Sequence, residues 1–259
     1  MIRYLSASSL TVAIISVFVT AGAITGMFFF EFNTSQLLLA FVFYFMYSGV
    51  GLGMMFHRYW THKSFEFKSV FVKWLLTGFG LLTGRGSVIG WVYVHREHHQ
   101  FSDTEKDPHM KDMSHVRIFL PSISKHGDNV NKRLIRDLLV KEHLDINKYY
   151  VLLVLSFPLI LFLIDPQLAY FMWFLPVFLT NIVWNAFIYY GHNKPGYKTF
   201  SDTRDNSVNS WLFAILTFGE GWHNNHHKYP YKHTTKELPW EIDPLAWVIS
   251  LVKTNDKVA

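Results

Sequence analysis

Two uncharged stretches near the start of the chain, Leu10 to Phe30 and Ser35 to Phe56, limit what it can fold into. Each runs to about 20 residues, enough for a helix to cross roughly 30 Å of hydrocarbon. Lipid offers backbone groups no partners, so such runs must bond internally as helices. A second pair, Tyr149 to Ile164 and Leu168 to Tyr190, follows a long polar stretch, with only Asp165, Pro166 and Gln167 between its members. Four transmembrane helices in two hairpins are expected. The first run could be a signal peptide, with Ala21 and Ala23 as a small-residue site, but its apolar length and single basic flank, Arg3, favour an anchor. Val70 to Val94 is also apolar yet carries Lys73, Arg85 and a glycine-rich middle, and reads as helices lying on or dipping into the membrane.

Charge sets the orientation. The two short loops, Glu31 to Ser35 and Asp165 to Gln167, hold no lysine or arginine, so all 24 basic residues fall on one side, which the positive-inside rule makes cytoplasmic. That distribution accounts for the net charge of +5 without nucleic acid. There are no cysteines, which excludes disulfides, thiolate zinc sites and iron–sulfur clusters and leaves nitrogen and oxygen to hold any metal.

All 14 histidines lie on the same side as the basic residues, and eight form three clusters: His57 and His62; His95, His98 and His99; and His223, His226 and His227. The last two clusters have i, i+3, i+4 spacing, which puts three imidazoles on one helical face. His57 and His62 stand about 140° apart on an ideal helix, so their convergence requires the second span to end or unwind between them. One such motif alone is more often a solvated polar face. Three together beside predicted spans read as metal binding, and eight imidazoles exceed one tetrahedral zinc and suggest two metals. Imidazole suits zinc, copper, iron and nickel alike. His109, His115, His126, His143 and His233 lack this spacing and read as surface residues.

HRYWTH at 57–62, WVYVHREHHQFSDTEKDPH at 91–109 and GEGWHNNHHKYP at 219–230 resemble the three histidine boxes of membrane fatty acyl desaturases, specifically the acyl-CoA delta-9 (stearoyl-CoA) type. The resemblance runs from about His57 to Trp247 and covers order, spacing and both span pairs. It implies a non-haem di-iron centre held by nine histidines, the ninth being His192. It also implies dioxygen as co-substrate and a cis double bond inserted, at carbon nine, into a saturated acyl chain carried as acyl-CoA. The family's asparagine four residues before the ninth histidine, placed to contact one iron through water, is replaced by Ile188; Asn185 is the nearest substitute. An apolar tunnel between helices would hold the acyl chain, with Trp60, Trp91, Tyr93 and Trp184 as possible lining.

Glu97, Glu220, Asp103 and Asp107 can each orient a ligand imidazole through its outer N–H, although Glu97 can equally pair with Arg96 or Lys106. Arg58, Lys63, Lys68, Arg96 and Arg117 are candidates for the carrier's phosphates, or simply flanking charges that attract anionic lipid. Acyl-CoA, acyl carrier protein and intact lipid are not separated by sequence. No fused redox domain is visible, so a separate electron carrier and reductase should dock on the basic cytosolic face.

The expected fold is therefore an all-α integral membrane protein, a single domain over 1–259. Four spans carry a cytosolic helical cap, built from 57–148 and 191–259, that holds a histidine-rich di-metal site. A helix is expected around Asn131 to His143 within the cytosolic connector. Two other functions stay open: a di-iron hydroxylase, and a non-redox metal-binding membrane protein, the latter disfavoured because the spans contain no ionisable residues.

Overall fold

The computed structural model describes residues 3–109, 131–193 and 195–256. Arg117, His115 and His126 lie outside them. Helices α1 (Arg3–Phe29) and α2 (Thr34–Thr61) form the first hairpin. Asn33 caps α2: its side chain accepts the Gln36 N–H while Gln36 reaches back to the Asn33 N–H. Beyond Tyr44, α2 widens over Phe45–Thr61 into π geometry, in which each N–H bonds the carbonyl five residues back. The helix thus continues past Phe56, where the apolar run ends and the span is expected to stop.

A short strand, β1 (Phe65–Phe67), leads into α3 (Val70–Leu82) and α4 (Val88–Phe101). Helix α3 packs directly against the widened part of α2, because neither Gly51 nor Gly80 has a side chain. A Cβ on Gly51 would stand 2.6 Å from the Gly80 nitrogen.

The expected helix at 131–143 is replaced by two elements. A 3₁₀ turn over Lys132–Leu138 places Ile135 and Leu138 one above the other, as i, i+3 residues do in that geometry, and both are buried. The chain then breaks at Leu139, passes through extended Val140 and starts α5 (Lys141–Lys148).

Helix α6 (Tyr150–Ile164) follows at 61° to α5. It has only 15 residues, so it suffices as a span only if α5 counts with it. Asp165 caps α7 (Pro166–Tyr190), with Pro166 in the first turn, where its missing N–H costs nothing. Three described helices, α1, α2 and α7, are long and apolar enough to cross a membrane, and the bent α5–α6 pair would make a fourth. Their outer faces carry large apolar side chains such as Phe28, Phe29, Leu163 and Ile164, which lipid would solvate. Their inner faces close on Tyr47, Leu52, Phe56 and Trp173, all without exposed surface.

The remaining chain forms α8 (Trp211–Leu216), α9 (His223–Lys228), α10 (Pro244–Val252) and β2 (Lys253–Asp256). β2 pairs antiparallel with β1 and ties the end of the described chain to the segment just after α2.

Candidate metal centre

The π geometry of α2 brings its two histidines together. The His62 N–H bonds the His57 carbonyl at 3.2 Å, so residue 62 stands over residue 57 and the ring centroids are 4.9 Å apart. The expectation that α2 must end or unwind between them is thereby corrected: it widens instead. On α4, His95, His98 and His99 share one face, and Trp91 stacks on His95 at 5.0 Å. Glu97 lies about 200° round the helix from His95 and accepts from Tyr93 Oη at 2.9 Å.

The third cluster sits on a helix of six residues, too short to hold itself. The two asparagines between its histidines anchor it. Asn225 Nδ2 donates to Glu241 at 2.8 Å and to the Thr235 carbonyl, and its Oδ1 accepts from Asn209. Asn224 Oδ1 accepts the Phe200 N–H at 2.8 Å. These bonds face away from the imidazoles, so Asn224 and Asn225 hold the back of the helix while His223, His226 and His227 present its front.

The nine imidazoles that the boxes and the resemblance single out converge as two groups. His57, His62, His95, His99 and His226 form one, and His98, His192, His223 and His227 the other; within each, the candidate donor atoms lie within 4.8 Å of one another. Four outer nitrogens face carboxylates: His57 Nδ1 meets Glu220, His98 Nδ1 meets Asp107 at 2.9 Å, His192 Nδ1 meets Asp103 at 3.1 Å and His227 Nδ1 meets Asp205 at 2.7 Å. A carboxylate there fixes the proton on Nδ1 and turns the Nε2 lone pair inward.

Burial, reinforced by neighbouring imidazoles, holds His62, His95, His99, His223, His226 and His227 well below the ordinary histidine range, and His98 is pushed down to about 3. They are neutral at pH 7, the form that ligates metal. Burial alone would raise Glu220, but Arg58 and His57 bring its carboxyl below the usual range.

A cation satisfies this arrangement. Nε2 faces Nε2 at 2.9 Å between His57 and His226, 2.9 Å between His192 and His223, and 3.1 Å between His98 and His192. Between His98 and His192, whose Nδ1 protons both face carboxylates, two lone pairs meet and repel unless a cation lies near both, whereas the pairs made by His226 and His223 also close as N–H···N bonds. Two nitrogens about 2.1 Å from one ion and at right angles would be about 3.0 Å apart. His62 Nε2 and His227 Nε2 are buried with no hydrogen-bond partner. Five donors in one group exceed the four of a closed tetrahedral zinc site.

Other expectations change. Arg58, a candidate for carrier phosphates by its position, is buried, and its donors reach Glu220, Asp243, the His233 carbonyl and Thr235. Arg96 pairs with Asp137 and donates to the Trp60, Thr61 and Leu134 carbonyls, rather than meeting Glu97 or a ligand. Lys63 shares Asp137 at 2.8 Å, and Lys68 is exposed. Asn185 accepts from Arg85 Nη1 at 2.9 Å.

Of the histidines whose spacing reads as surface, one is buried and another half-buried. His143 is buried against Trp60, with ring centroids 4.5 Å apart. His109 packs 4.9 Å from the His98 ring. Asp205 is absent from the residues that the sequence singles out; lying 22 residues before His227 in a loop, it carries no spacing signal.

A family model for fatty acid desaturases matches residues 33–247. The chain is 32% identical over 235 residues to an sn-2 palmitoyl-lipid 9-desaturase of Nostoc sp. (strain 36), covering 86% of this chain and 80% of that protein. It is 34% identical over 233 residues to an sn-1 stearoyl-lipid 9-desaturase of a Synechocystis strain, covering 84% and 68%. An acyl-CoA 5-desaturase of Anemone leveillei is 30% identical over 240 residues, covering 86% and 71%.

Proposed function

The chain belongs to the fatty acid desaturase family, and from that premise we propose that it inserts a double bond at carbon nine of a saturated acyl chain, using dioxygen and external electrons. The observation that carries this reading is the convergence of nine imidazoles into two adjoining groups. We assign the metals as two iron ions. When bound, they supply the oxygen-activating redox chemistry that abstracts hydrogen from methylene carbons, which no side chain can do.

The chain's own residues do the rest. His57, His62, His95, His99 and His226 would hold one ion, and His98, His192, His223 and His227 the other. Glu220, Asp107, Asp103 and Asp205 keep the outer protons of their histidines in place, so that neutral imidazole faces inward. Trp91, stacked on His95 and 6.4 Å from Trp184, gives the first histidine group an aromatic flank.

The substrate expectation shifts from acyl-CoA toward a lipid-linked acyl chain. Arg58 and Arg96, two of the five candidate phosphate contacts, are occupied by internal partners, and the Nostoc and Synechocystis relatives are named for lipid-linked substrates. We place the protein in the membrane with four spans, α5–α6 supplying the third, and with the histidine centre on the cytoplasmic side. A separate electron carrier would approach that side.

Expression in a desaturase-deficient host with a compatible electron chain, followed by mass spectrometry of total acyl chains, tests the proposal. A new monounsaturated chain made by the wild type and not by His226→Ala is expected. Hydroxylated chains, or no product from iron-loaded protein given lipid-linked and CoA-linked substrates, would overturn it.

A further inference from the structure

Arg58 and Arg85 are both drawn in among the helices, but only Arg58 meets carboxylates among the described residues. Arg85 has neutral partners: its Nη1 donates to Asn185 Oδ1 at 2.9 Å and, at 3.4 Å, to the side chain and carbonyl of Asn181. Its Nε is shielded from solvent and has no partner, and no described hydrogen bond uses Nη2. The guanidinium stays charged, as arginine does in proteins. Arg85 is half-buried, with Nε enclosed and unpartnered, and a cation drawn in this far without a carboxylate is costly.

The turn that carries Arg85 is locked in position. Gly84 and Gly86, on either side, have φ of 73° and 108°, conformations that other residues resist. A Cβ on Gly84 would approach Ile15 of α1 to 2.7 Å. The Gly86 N–H donates to Tyr150 Oη at 2.8 Å, and Ser87 Oγ bonds Asn147 Oδ1 at 2.6 Å. The turn is therefore held among α1, α5 and α6, and Arg85 reaches from it to the asparagines of α7.

Two independent paths relate it to the histidine centre. Asn185 lies on α7 seven residues before His192, which follows just past the helix end, and α4, which begins three residues after Arg85, carries His95 as its eighth residue. The helical parts of the two paths rise roughly 7 and 10 Å.

A methylene chain has no use for spare N–H donors, whereas a carbonyl is a pure acceptor that a guanidinium fork binds well. We propose that Arg85, backed by Asn181 and Asn185, grips the ester or thioester carbonyl of the acyl substrate and so determines which carbons reach the histidine centre. This rests on the desaturase reading.

The test compares wild type, Arg85→Gln and Asn185→Asp in the desaturase-deficient host, with double-bond positions located by mass spectrometry and iron counted on purified protein. Asn185→Asp supplies the carboxylate that Arg85 lacks, so the charge is satisfied and the fold kept while the donors are taken. Wild type should give one dominant isomer; absence of any unsaturated product would instead sink the desaturase reading itself. In both variants the ratio of that isomer to its positional neighbours should fall about tenfold with iron retained. An unchanged isomer ratio in Asn185→Asp, whatever the yield, would overturn the proposal, and that variant decides alone if Arg85→Gln does not accumulate.

Discussion

Arg58→Met isolates the device that holds His57 in place. Arg58 is 1% exposed and bridges Glu220 at 2.8 Å and Asp243 at 2.8 Å, both fully shielded, while Glu220 also holds His57 Nδ1. Methionine fills a similar volume but strands two buried carboxylates. Removing one partner of a buried pair costs about 3–5 kcal/mol. For a chain of this size that corresponds to a fall of roughly 6–20 °C in melting temperature. The assay is thermal unfolding in detergent micelles, followed by tryptophan fluorescence. Adding Glu220→Gln and Asp243→Asn to Arg58→Met should recover at least half of the loss, because the stranded charges then vanish. A melting temperature for Arg58→Met within about 2 °C of wild type, below 1 kcal/mol, would refute the reasoning.

Further expectations concern the centre and its rim. His223→Ala and His226→Ala each remove a donor from a different group, so each should lose about one of two metals, measured as the metal-to-protein ratio, with membrane insertion intact. Asp205→Asn keeps the shape but weakens the hold on His227 Nδ1; turnover or metal affinity should fall about 10–100-fold, read from product formation at graded iron. Asp137 is held down to about 2, since the pull of Arg96 and Lys63 outweighs burial. Its contribution is therefore complete above the ordinary aspartate value of 3.8 and is lost as pH falls through about 2. Because Asp137 is partly solvated, that contribution is at most about 2 kcal/mol, and the acid limb of the melting-temperature profile should flatten in Asp137→Asn.

Most of the centre is legible in the apolar runs and the box spacings. The i, i+3, i+4 rule places six imidazoles on two helical faces, and the resemblance supplies His192. Convergence of His57 with His62 is not legible in detail, since α and π geometry share the same sequence pattern and packing of α3 against Gly51 decides only in three dimensions. Arg58 misleads for a related reason. A basic residue beside a span reads as a flank, and its partners Glu220 and Asp243 lie more than 160 residues away. Asp205, on a loop, follows no periodicity, so nothing local announces its bond to His227. The break at 139–140 is hidden because the 3₁₀ register of Ile135 and Leu138 also fits an α-helix.

The most direct check on the central claim is the metal content of wild-type protein purified from iron-supplied cells, counted by mass spectrometry and typed by Mössbauer spectroscopy after ⁵⁷Fe labelling. Two iron ions per chain, in nitrogen-rich sites, are predicted. One ion per chain, or a full complement of zinc that supports no dioxygen-dependent product, would contradict it.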